Sequence, residues 1–454
     1  MRLHLWKSPG PAGFGLALML CAPLIACGED KSAKSHDPSE GAVERSHPDR
    51  LPQRPSVPPA VAIPVDPLGF SAPGAIYLGQ RFSHVSLDFL DEEHLLFTFR
   101  VPGLIHRQPQ RNGEDESEER HIKAVVLELP SGAVQAEAVW TVHDHFRYLW
   151  MLKDGQFLVR DRDDLRLGDA SLELKPFLHF PGHVLQVATD PATDLLVTNS
   201  REPVTKAPDG SDTPGGRAAA DVAPDRDPGK APEAVPEMVV RILRRDSGKV
   251  ILVSRVRSVV HLPINSAGYL ELLPGRGDGW VVTLNSFSGG TSKLGEVDST
   301  CTPAYDFVSE REFVVTTCTR QDVRSLVAME TDGRHLWEDV PSSSPVWPVL
   351  VHGADGSRLA RESLAVNHPV NAYSPISFDD VRGQVVEVFD TATGKIALDA
   401  PASPILDAGG NVAISPSGRQ VAILNAGAIQ VFDLPLPGSV APDSARAQAG
   451  KPGQ

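Results

Sequence analysis

The sequence predicts an all-β fold, a β-propeller with seven blades of four antiparallel strands. Short runs rich in β-branched and aromatic residues recur roughly every 8–12 positions between turn residues, which is typical of all-β folds. Examples are His94–Arg100, Gln156–Arg160 and Gly279–Leu284. No long stretch has the 3.6-residue hydrophobic period of an amphipathic helix, and the 40 prolines and 38 glycines favour turns over helices.

Glycine-containing turns recur at a spacing that predicts repeated four-stranded units. Gly248 and Gly333 are 85 residues apart, which is about two blades of ~40–45 residues. Gly132 and Gly248 are 116 residues apart, again about two blades once a long polar insertion between them is removed. Six or eight blades, and an array of two-sheet sandwiches, are the alternatives. Seven units can be drawn, beginning near Val85, Tyr148, Val184, His261, Tyr305, Val346 and Ile405.

The last unit contains three clear strands, so an N-terminal strand is expected to supply its fourth. The three runs are Asn411–Ser415, Gln420–Leu424 and Ala428–Asp433. We expect the run Ala75–Leu78 to complete this blade. Such a closure joins the two ends of the chain around the ring and leaves few exposed sheet edges.

Three segments in the later units resemble repeats of known propellers. Ala413–Ala422 is similar to the Ser-Pro-Asp-Gly repeat of WD40-like and TolB-like propellers, with Ser417 where that repeat has Asp. Asp390–Lys395 resembles the turn before the outer strand in the same repeats. Thr331–Trp337 is similar to the blade ending of quinoprotein-like propellers. The resemblance implies a propeller lipoprotein of the bacterial envelope.

The N-terminus has the pattern of an export signal. Arg2 and Lys7 precede a short apolar run, Gly13–Leu24, which is too short for a permanent membrane span. The following Leu24-Ile-Ala-Cys27 resembles the lipobox of bacterial lipoproteins, which implies that residues 1–26 are removed and that Cys27 carries the acyl chains. Gly28 after the cysteine favours the outer membrane, on its periplasmic side. An ordinary secretory signal is the alternative.

Three polar, proline-containing segments flank or interrupt the strand-rich region. Residues 27–72, 202–237 and 438–454 contain few apolar residues that could offset the entropy of an ordered chain, so we expect them to be disordered. The first is interpreted as a tether, the second as a loop inserted within one domain and the third as a tail. The propeller is then expected to occupy residues 73–437.

The two cysteines outside the N-terminal region are predicted to form a disulfide. If the strands around Glu310 form a hairpin, Cys301 and Cys318 lie almost opposite each other, where disulfide geometry is possible. An oxidising periplasm allows the bond to persist. Two unpaired core thiols are the alternative.

The sequence contains no recognised catalytic motif. His143 and His145 are spaced so that both imidazoles could reach one metal ion from a strand, but no third ligand is identifiable. The Asp161–Asp164 turn offers oxygen ligands, although two arginines in and beside it would repel a cation. We therefore expect neither a metal nor a cofactor. The tryptophans in or beside predicted strands are expected to pack between blades: Trp140, Trp150, Trp280, Trp337 and Trp347.

Charge and motifs together favour a binding function. A net charge of −15 is the opposite of the basic footprint that nucleic-acid binding needs. We interpret the chain as a membrane-anchored, monomeric, non-catalytic module that contacts other envelope proteins through its faces. The alternative is an envelope enzyme of the hydrolase or lyase type with its site in the central channel, and a ligand or cofactor holder is a third possibility.

Overall fold

The computed structural model describes residues 55–74, 78–79, 81–103, 106–107, 118–143, 146–203, 237–318, 324–339, 348–367 and 376–438. Residues 1–26, most of the predicted tether, residues 204–236 of the predicted loop and residues 439–454 lie outside this part of the chain. The described residues form a seven-bladed β-propeller, which confirms the predicted fold class and blade number. None of its helices is long and apolar enough to cross a bilayer.

The blades follow one another in chain order, each a meander of antiparallel strands. Blade 1 contains β2 (Val85–Phe89), β3 (His94–Arg100), β5 (Glu118–Glu128) and β6 (Val134–Val142), with a short β4 (His106–Arg107) beside β5. Blade 2 contains β7 (Leu149–Met151), β8 (Phe157–Asp161), β9 (Asp164–Gly168) and β10 (Lys175–His179). Blade 3 contains β11 (His183–Thr189), β12 (Leu195–Glu202), β13 (Glu237–Arg244) and β14 (Val250–Val256).

The remaining strands form blades 4 to 7. Blade 4 contains β15 (Gly268–Pro274), β16 (Gly279–Ser286) and β17 (Thr291–Asp298), and blade 5 contains β18 (Ala304–Phe307), β19 (Glu312–Cys318), β20 (Arg324–Glu330) and β21 (His335–Asp339). Blade 6 contains β22 (Val349–His352), β23 (Arg358–Val366), β24 (Val381–Asp390) and β25 (Ile396–Ala402). Blade 7 contains β26 (Val412–Ile414), β27 (Gln420–Asn425) and β28 (Ala428–Asp433), together with the N-terminal strand β1 (Val61–Pro64).

Blade 4 has a reduced inner strand. Its sheet contains three named strands among the described residues, and an isolated bridge between Ile264 and Tyr269 adds the inner position. The amide of Leu270 donates to the carbonyl of Pro263 at 2.9 Å, which continues this pairing. The unit predicted to begin near His261 is therefore present, with its first strand shortened.

The strand that closes the ring is β1, and the prediction that Ala75–Leu78 would do so is wrong. β1 pairs with β28 in register from Val61 opposite Val431 to Pro64 opposite Ala428. Residues 75–77 lie outside the described part of the chain, and Leu78 is in a turn. β1 lies inside the segment 27–72 that was predicted as tether, so the propeller begins before residue 73. The edge position tolerates Pro64 because an outermost strand leaves one row of amides unpaired.

The predicted insertion lies within a single blade. β12 and β13 are hydrogen-bonded neighbours, and their pairing extends to Glu202 opposite Glu237. The residues between these two positions therefore connect adjacent strands of blade 3, as expected for a loop inserted inside one domain.

The hydrophobic core consists of layers between neighbouring blades. Leu87 and Phe97 of blade 1 pack with Leu424 and Val431 of blade 7 and with Ile63 of β1. Equivalent clusters join blades 1 and 2, 2 and 3, 4 and 5, 5 and 6, and 6 and 7. Burial of apolar side chains between adjacent sheets is the main force that holds such a ring together.

The tryptophans belong to these interblade layers, as predicted. Trp140 packs on Phe157 of the next blade, and Trp337 stacks on Phe389 with ring centroids 5.7 Å apart. Trp140, Trp150 and Trp337 are buried, Trp280 is half-buried, and Trp347 lies outside the described residues.

Charged side chains also cross between blades inside the core. Arg160 is fully buried and donates to the carbonyls of Val184 and Leu185 in blade 3, both at 2.7 Å. Arg358 is equally buried and joins Asp390 in its own blade to the carbonyl of Pro435. These arginines fix adjacent sheets through directional bonds that apolar packing alone does not supply.

The predicted disulfide is present. Cys301, in the connection from blade 4 to blade 5, is bonded to Cys318 at the end of β19, with Cα atoms 5.6 Å apart. The hairpin of β18 and β19 pairs Ala304 with Thr316 and turns around Glu310, as the prediction required. The amide of Thr300 also donates to the carbonyl of Cys318 at 3.0 Å.

Candidate functional site

One face of the propeller carries the turns that join the first strand of each blade to the second and the third to the fourth; we call it the turn face. On this face, hydrogen bonds join the turns of neighbouring blades. Such hydrogen bonds order loops that would otherwise be mobile, which lowers the entropic cost of binding a partner. The hydrogen-bonded pairs are Ser417 with Glu92, Lys153 with Thr193, Asn265 with Glu310, and Asp355 with Pro416.

A cleft of about 610 Å³ opens on the turn face between blades 3, 5 and 6. It is larger than a second pocket, of about 270 Å³, in the described part of the chain, and we call it the turn-face cleft. It is bordered by Pro191, Ala192, Ser309–Glu312, Glu330, Ala354–Ser357 and Thr391.

Acidic residues line this cleft or directly adjoin its lining residues. Glu310 is held by Ser266, whose amide and hydroxyl donate to Oε2 at 2.9 and 2.5 Å, whereas Oε1 is buried without a hydrogen-bond partner. Asp190, which precedes the lining residue Pro191, is 1% exposed; its Oδ1 accepts a hydrogen bond from the amide of Leu195 at 2.7 Å, and its Oδ2 is buried without a partner. Burial raises the pKa of Asp190 to about 6, and the nearby charges of Glu310 and Asp194 raise it further.

The rim of the cleft carries further carboxylates. Burial, together with the charges of Glu330 and Asp390, raises the pKa of Glu312. Glu330 is paired with Arg334 at 2.6 Å, and Arg311 is the one cationic side chain among the lining residues. Asp355 accepts hydrogen bonds from the amide and hydroxyl of Ser357 at 2.9 and 2.8 Å.

A second polar group lies on the inner strands of the ring. Arg147 packs over Trp150, and the charges of both Asp88 in blade 1 and Asp306 in blade 5 act on it. Burial raises the pKa of Asp88 to about 6, partly offset by a 2.6 Å hydrogen bond from Ser86 and by Arg147. Because blades 1 and 5 are not neighbours, these side chains approach one another across the central channel.

The opposite wall of the channel adds an imidazole. His261 Nε2 lies 2.9 Å from the carbonyl oxygen of Tyr305 and 3.6 Å from the Asp306 carboxylate. The Tyr305 ring itself packs against the apolar cluster between blades 4 and 5, where burial and the carboxylates of Glu271 and Asp306 raise the pKa of its phenol to about 12. Polar residues thus converge on the channel from several blades.

The structure describes one member of the histidine pair considered from the sequence. His143 Nδ1 lies 2.8 Å from Asp161, which also faces Arg166, and His145 lies outside the described residues. Among the described residues, Asp163, Asp164 and His179 bring three potential metal-ligand atoms within 4.8 Å of one another, at a turn and the adjacent end of strand β10. His179 and Asp164 form an ion pair at 2.9 Å, and this hydrogen bond raises the pKa of the imidazole. Cys27 lies outside the described residues.

The residues of the turn-face cleft were not recognised in the sequence. Pro191, Glu310 and Asp355 lie more than a hundred positions apart at the extremes, in turns that individually resemble ordinary solvated loops. Only the ring brings these turns to one place. The available signal was the recurrence of acidic residues in first-to-second-strand turns, which alone does not indicate that the turns meet.

No protein-family model matches this chain, and no curated protein matches its sequence. Similar solved structures include β-propellers at very low identity. The WD40 domain of Toxoplasma gondii coronin has 10% identity and a TM-score of 0.39 over 79% of this chain and 90% of that one. TolB from Acinetobacter baumannii has 11% identity and a TM-score of 0.35 over 74% and 76% of the two chains.

A larger protein is also similar. The acylaminoacyl peptidase of Pyrococcus horikoshii has 8% identity and a TM-score of 0.42 over 78% of this chain. This chain spans about half of that peptidase, 52% of its length. The similarity concerns the fold alone, and the blade assignment above rests on the strand pairing itself.

Proposed function

We propose that this protein is a lipid-anchored, non-catalytic interaction module of the bacterial envelope, and that it engages partner proteins through its turn face. The proposal rests on one observation: hydrogen bonds join the turns of neighbouring blades around an open cleft. A preorganised surface of loops on a rigid scaffold is suited to recognition. The module acts as a monomer, with other envelope proteins as its partners.

Two features support the envelope location. Leu24–Cys27 resembles a lipobox, and a lipid-bearing Cys27 would hold the protein on a membrane with more than one acyl chain, which stable anchoring requires. The Cys301–Cys318 disulfide suits an oxidising compartment such as the periplasm. Gly28 after the lipidated cysteine favours the outer membrane.

The experiment compares the wild type with Cys27→Ala by affinity purification from native membranes and mass spectrometry. We expect envelope proteins to copurify reproducibly with the wild type and to be lost, together with membrane association, in the variant. Mass spectrometry of the N-terminal peptide of the wild type provides the control for lipidation. A wild-type protein that is lipidated and membrane-bound, yet recovered without partners, would contradict the interaction function.

A second candidate function is favoured by the polar group in the channel. Asp88, with its pKa of about 6, is suited to donate a proton near neutral pH, and Arg147 beside it would orient an anionic substrate group. This arrangement supports an envelope enzyme of the hydrolase or lyase type. Turnover of chromogenic ester, phosphate or glycoside substrates that is lost in Asp88→Asn would favour it, and no turnover with any of them would count against it.

A further inference from the structure

The outer strand of blade 3 presents an apolar edge to solvent. β14 is the last strand of this sheet in the described part of the chain, so one row of its amides and carbonyls faces away from the blade. Three of its four exposed side chains are aliphatic and β-branched: Val250, Ile251 and Val253, which are 47%, 36% and 59% exposed. The strand contains no proline and only one charged residue, Arg255. Such a segment is a template for pairing with another strand.

The outer strands of the other blades carry features that limit such pairing. Proline, which cannot donate to a strand ladder, is present in β10 at Pro176 and in β1 at Pro64. Exposed charged side chains interrupt three other outer strands: Glu137 in β6, Lys293 in β17 and Glu338 in β21. The edge of β25 is covered at one point by Ser56, whose amide donates to the carbonyl of Asp399 at 2.8 Å. Within the described residues, β14 is therefore the outer strand with the least protected edge.

Positive charge flanks this apolar edge, although the chain has a net charge of −15. Three exposed cations lie at the ends of β14 and have no ion-pair partner among the described residues: Arg244 and Lys249 at one end, and Arg257 at the other. Arg255 within the strand is paired with Glu237, and Asp246 in the preceding turn adds one negative charge. The local excess of cations complements a partner segment with acidic residues at its ends.

Two other occupants fit the edge less well. Antiparallel pairing of two β14 strands about Val253 would place Lys249 of one copy opposite Arg257 of the other. Like charges directly opposite each other destabilise a strand pair, which disfavours a second copy of this chain. A lipid surface would cover the aliphatic side chains but leave the outward amides and carbonyls of β14 unpaired in an apolar medium, which is costly. An added strand satisfies these backbone groups and covers the side chains together.

We propose that β14 binds an extended segment of a partner protein as an additional strand of blade 3, and that this segment has alternating apolar residues between acidic ends. Main-chain hydrogen bonds supply the affinity, while contacts with Val253 and ion pairs with Lys249 and Arg257 supply the specificity. β14 pairs with β13 in regular register from Leu252 to Val256, so this part of the edge can continue the ladder. The rim of blade 3 is not part of the turn-face cleft and adds a second surface to the interaction module.

The test uses the full-length protein and a fluorescein-labelled peptide, Asp-Glu-Val-Thr-Val-Thr-Val-Glu-Asp, with fluorescence anisotropy as the readout. One control peptide carries lysine at each acidic position, which reverses the charge. The other is N-methylated throughout its central residues, which keeps the side chains and removes the main-chain donors. We expect the acidic peptide to bind about tenfold more tightly than either control. No binding of the acidic peptide, or equal binding of either control, would overturn the proposal.

Variants of the protein locate the binding on β14. Val253→Asp places an acidic side chain in the apolar edge, and we expect it to weaken the dissociation constant about tenfold. Val139→Asp is the matched control, since Val139 is 60% exposed on outer strand β6 of blade 1, against 59% for Val253. Arg257→Gln removes one flanking cation and is expected to weaken binding about threefold. Thermal unfolding of each variant shows that the fold is intact, and equal losses in Val253→Asp and Val139→Asp would overturn the assignment to β14.

The other two occupants are distinguished with the same variant. Dimerisation that is measured by light scattering and lost in Val253→Asp, without peptide binding, would assign the edge to a second copy. Sedimentation of the Cys27→Ala protein with phosphatidylglycerol vesicles that is lost when Val253→Asp is added, again without peptide binding, would assign it to a lipid surface. Either result would overturn the proposal, while envelope proteins that copurify with the wild type would still support the interaction function.

Discussion

Ser417 and Glu92 join the last blade of the ring to the first. The amide of Ser417 donates to Oε1 of Glu92 at 2.7 Å, and its hydroxyl donates to Oε2 at 2.9 Å. Ser417 stands where the WD40-like and TolB-like repeats that this segment resembles have Asp. A carboxylate at this position would face the carboxylate of Glu92, so the departure from the repeat has a physical reason in this chain.

Replacing Ser417 by Asp tests that relationship. We expect Ser417→Asp to lower the free energy of unfolding by about 1 kcal/mol, because a charge-assisted hydrogen bond is exchanged for like-charge repulsion at a partly exposed site. Urea denaturation measures the change. Adding Glu92→Gln to Ser417→Asp should recover most of the loss, and a double variant no more stable than Ser417→Asp alone would contradict the pairing.

Glu362 makes the stability of the propeller depend on pH. This side chain is buried in blade 6, and Gln384 donates to its Oε1 at 2.6 Å. Burial raises the pKa of Glu362 to about 8, although the amides of Gly410 and Asn411 partly offset this. The folded state therefore holds a proton that the unfolded state releases at lower pH.

The sign of the effect follows from linkage. Because the folded pKa of about 8 lies above the unfolded value, the stability due to neutral Glu362 is complete below the unfolded pKa and is lost as the pH rises towards 8. We expect Glu362→Gln to remove this decline, so that chemical denaturation from about pH 5 to pH 9 gives a flatter profile than for the wild type. Parallel profiles for the two proteins would show that Glu362 does not hold the proton.

The disulfide between blades 4 and 5 is expected to stabilise the fold. Cys301 and Cys318 close a loop with a sequence separation of 17, for which the chain-entropy model gives roughly 3 kcal/mol. Cys301→Ser with Cys318→Ser should lower the unfolding free energy by about that amount, and reductant should have the same effect on the wild type but none on the variant. A reductant-sensitive variant would refute the pairing.

Gly394 and Gly277 form a matched pair for testing the packing of Trp337. Both glycines have positive φ, 68° and 61°, so alanine is strained at either position. A Cβ at Gly394 would lie 2.6 Å from the Trp337 ring, whereas a Cβ at Gly277 would meet nothing within 4 Å. We expect Gly394→Ala to be more destabilising than Gly277→Ala by about 1–3 kcal/mol in urea denaturation. Equal losses of unfolding free energy in the two variants would mean that a Cβ at position 394 does not clash with the Trp337 ring.

The strand pattern carried enough information to predict the ring. Predicted units beginning at Val85, Val184 and Tyr305 match strands that begin at Val85, His183 and Ala304, because alternating β-branched runs and turn glycines report local structure directly. The closing strand Val61–Pro64 was missed because this short apolar run lies among prolines and polar residues that are typical of a linker.

Features that depend on the assembled ring could not be predicted in the same way. Arg160, Arg358 and Glu362 are buried, yet charged residues in a single sequence are assigned to the surface unless their partners are known. The turn-face cleft has the same difficulty, since its lining residues come from blades 3, 5 and 6. These features depend on contacts between residues far apart in the sequence, and the residue types alone do not predict them.

The most direct test of the central claim is site-specific photo-crosslinking in cells. A photoreactive amino acid is introduced at Ala354, which lines the turn-face cleft, and separately at Glu338 on outer strand β21 as the control. If the turn face engages envelope proteins, irradiation produces discrete crosslinked partners from position 354 that position 338 does not produce. Crosslinks from position 338 alone, or none from position 354 in a folded and membrane-bound protein, would contradict the claim.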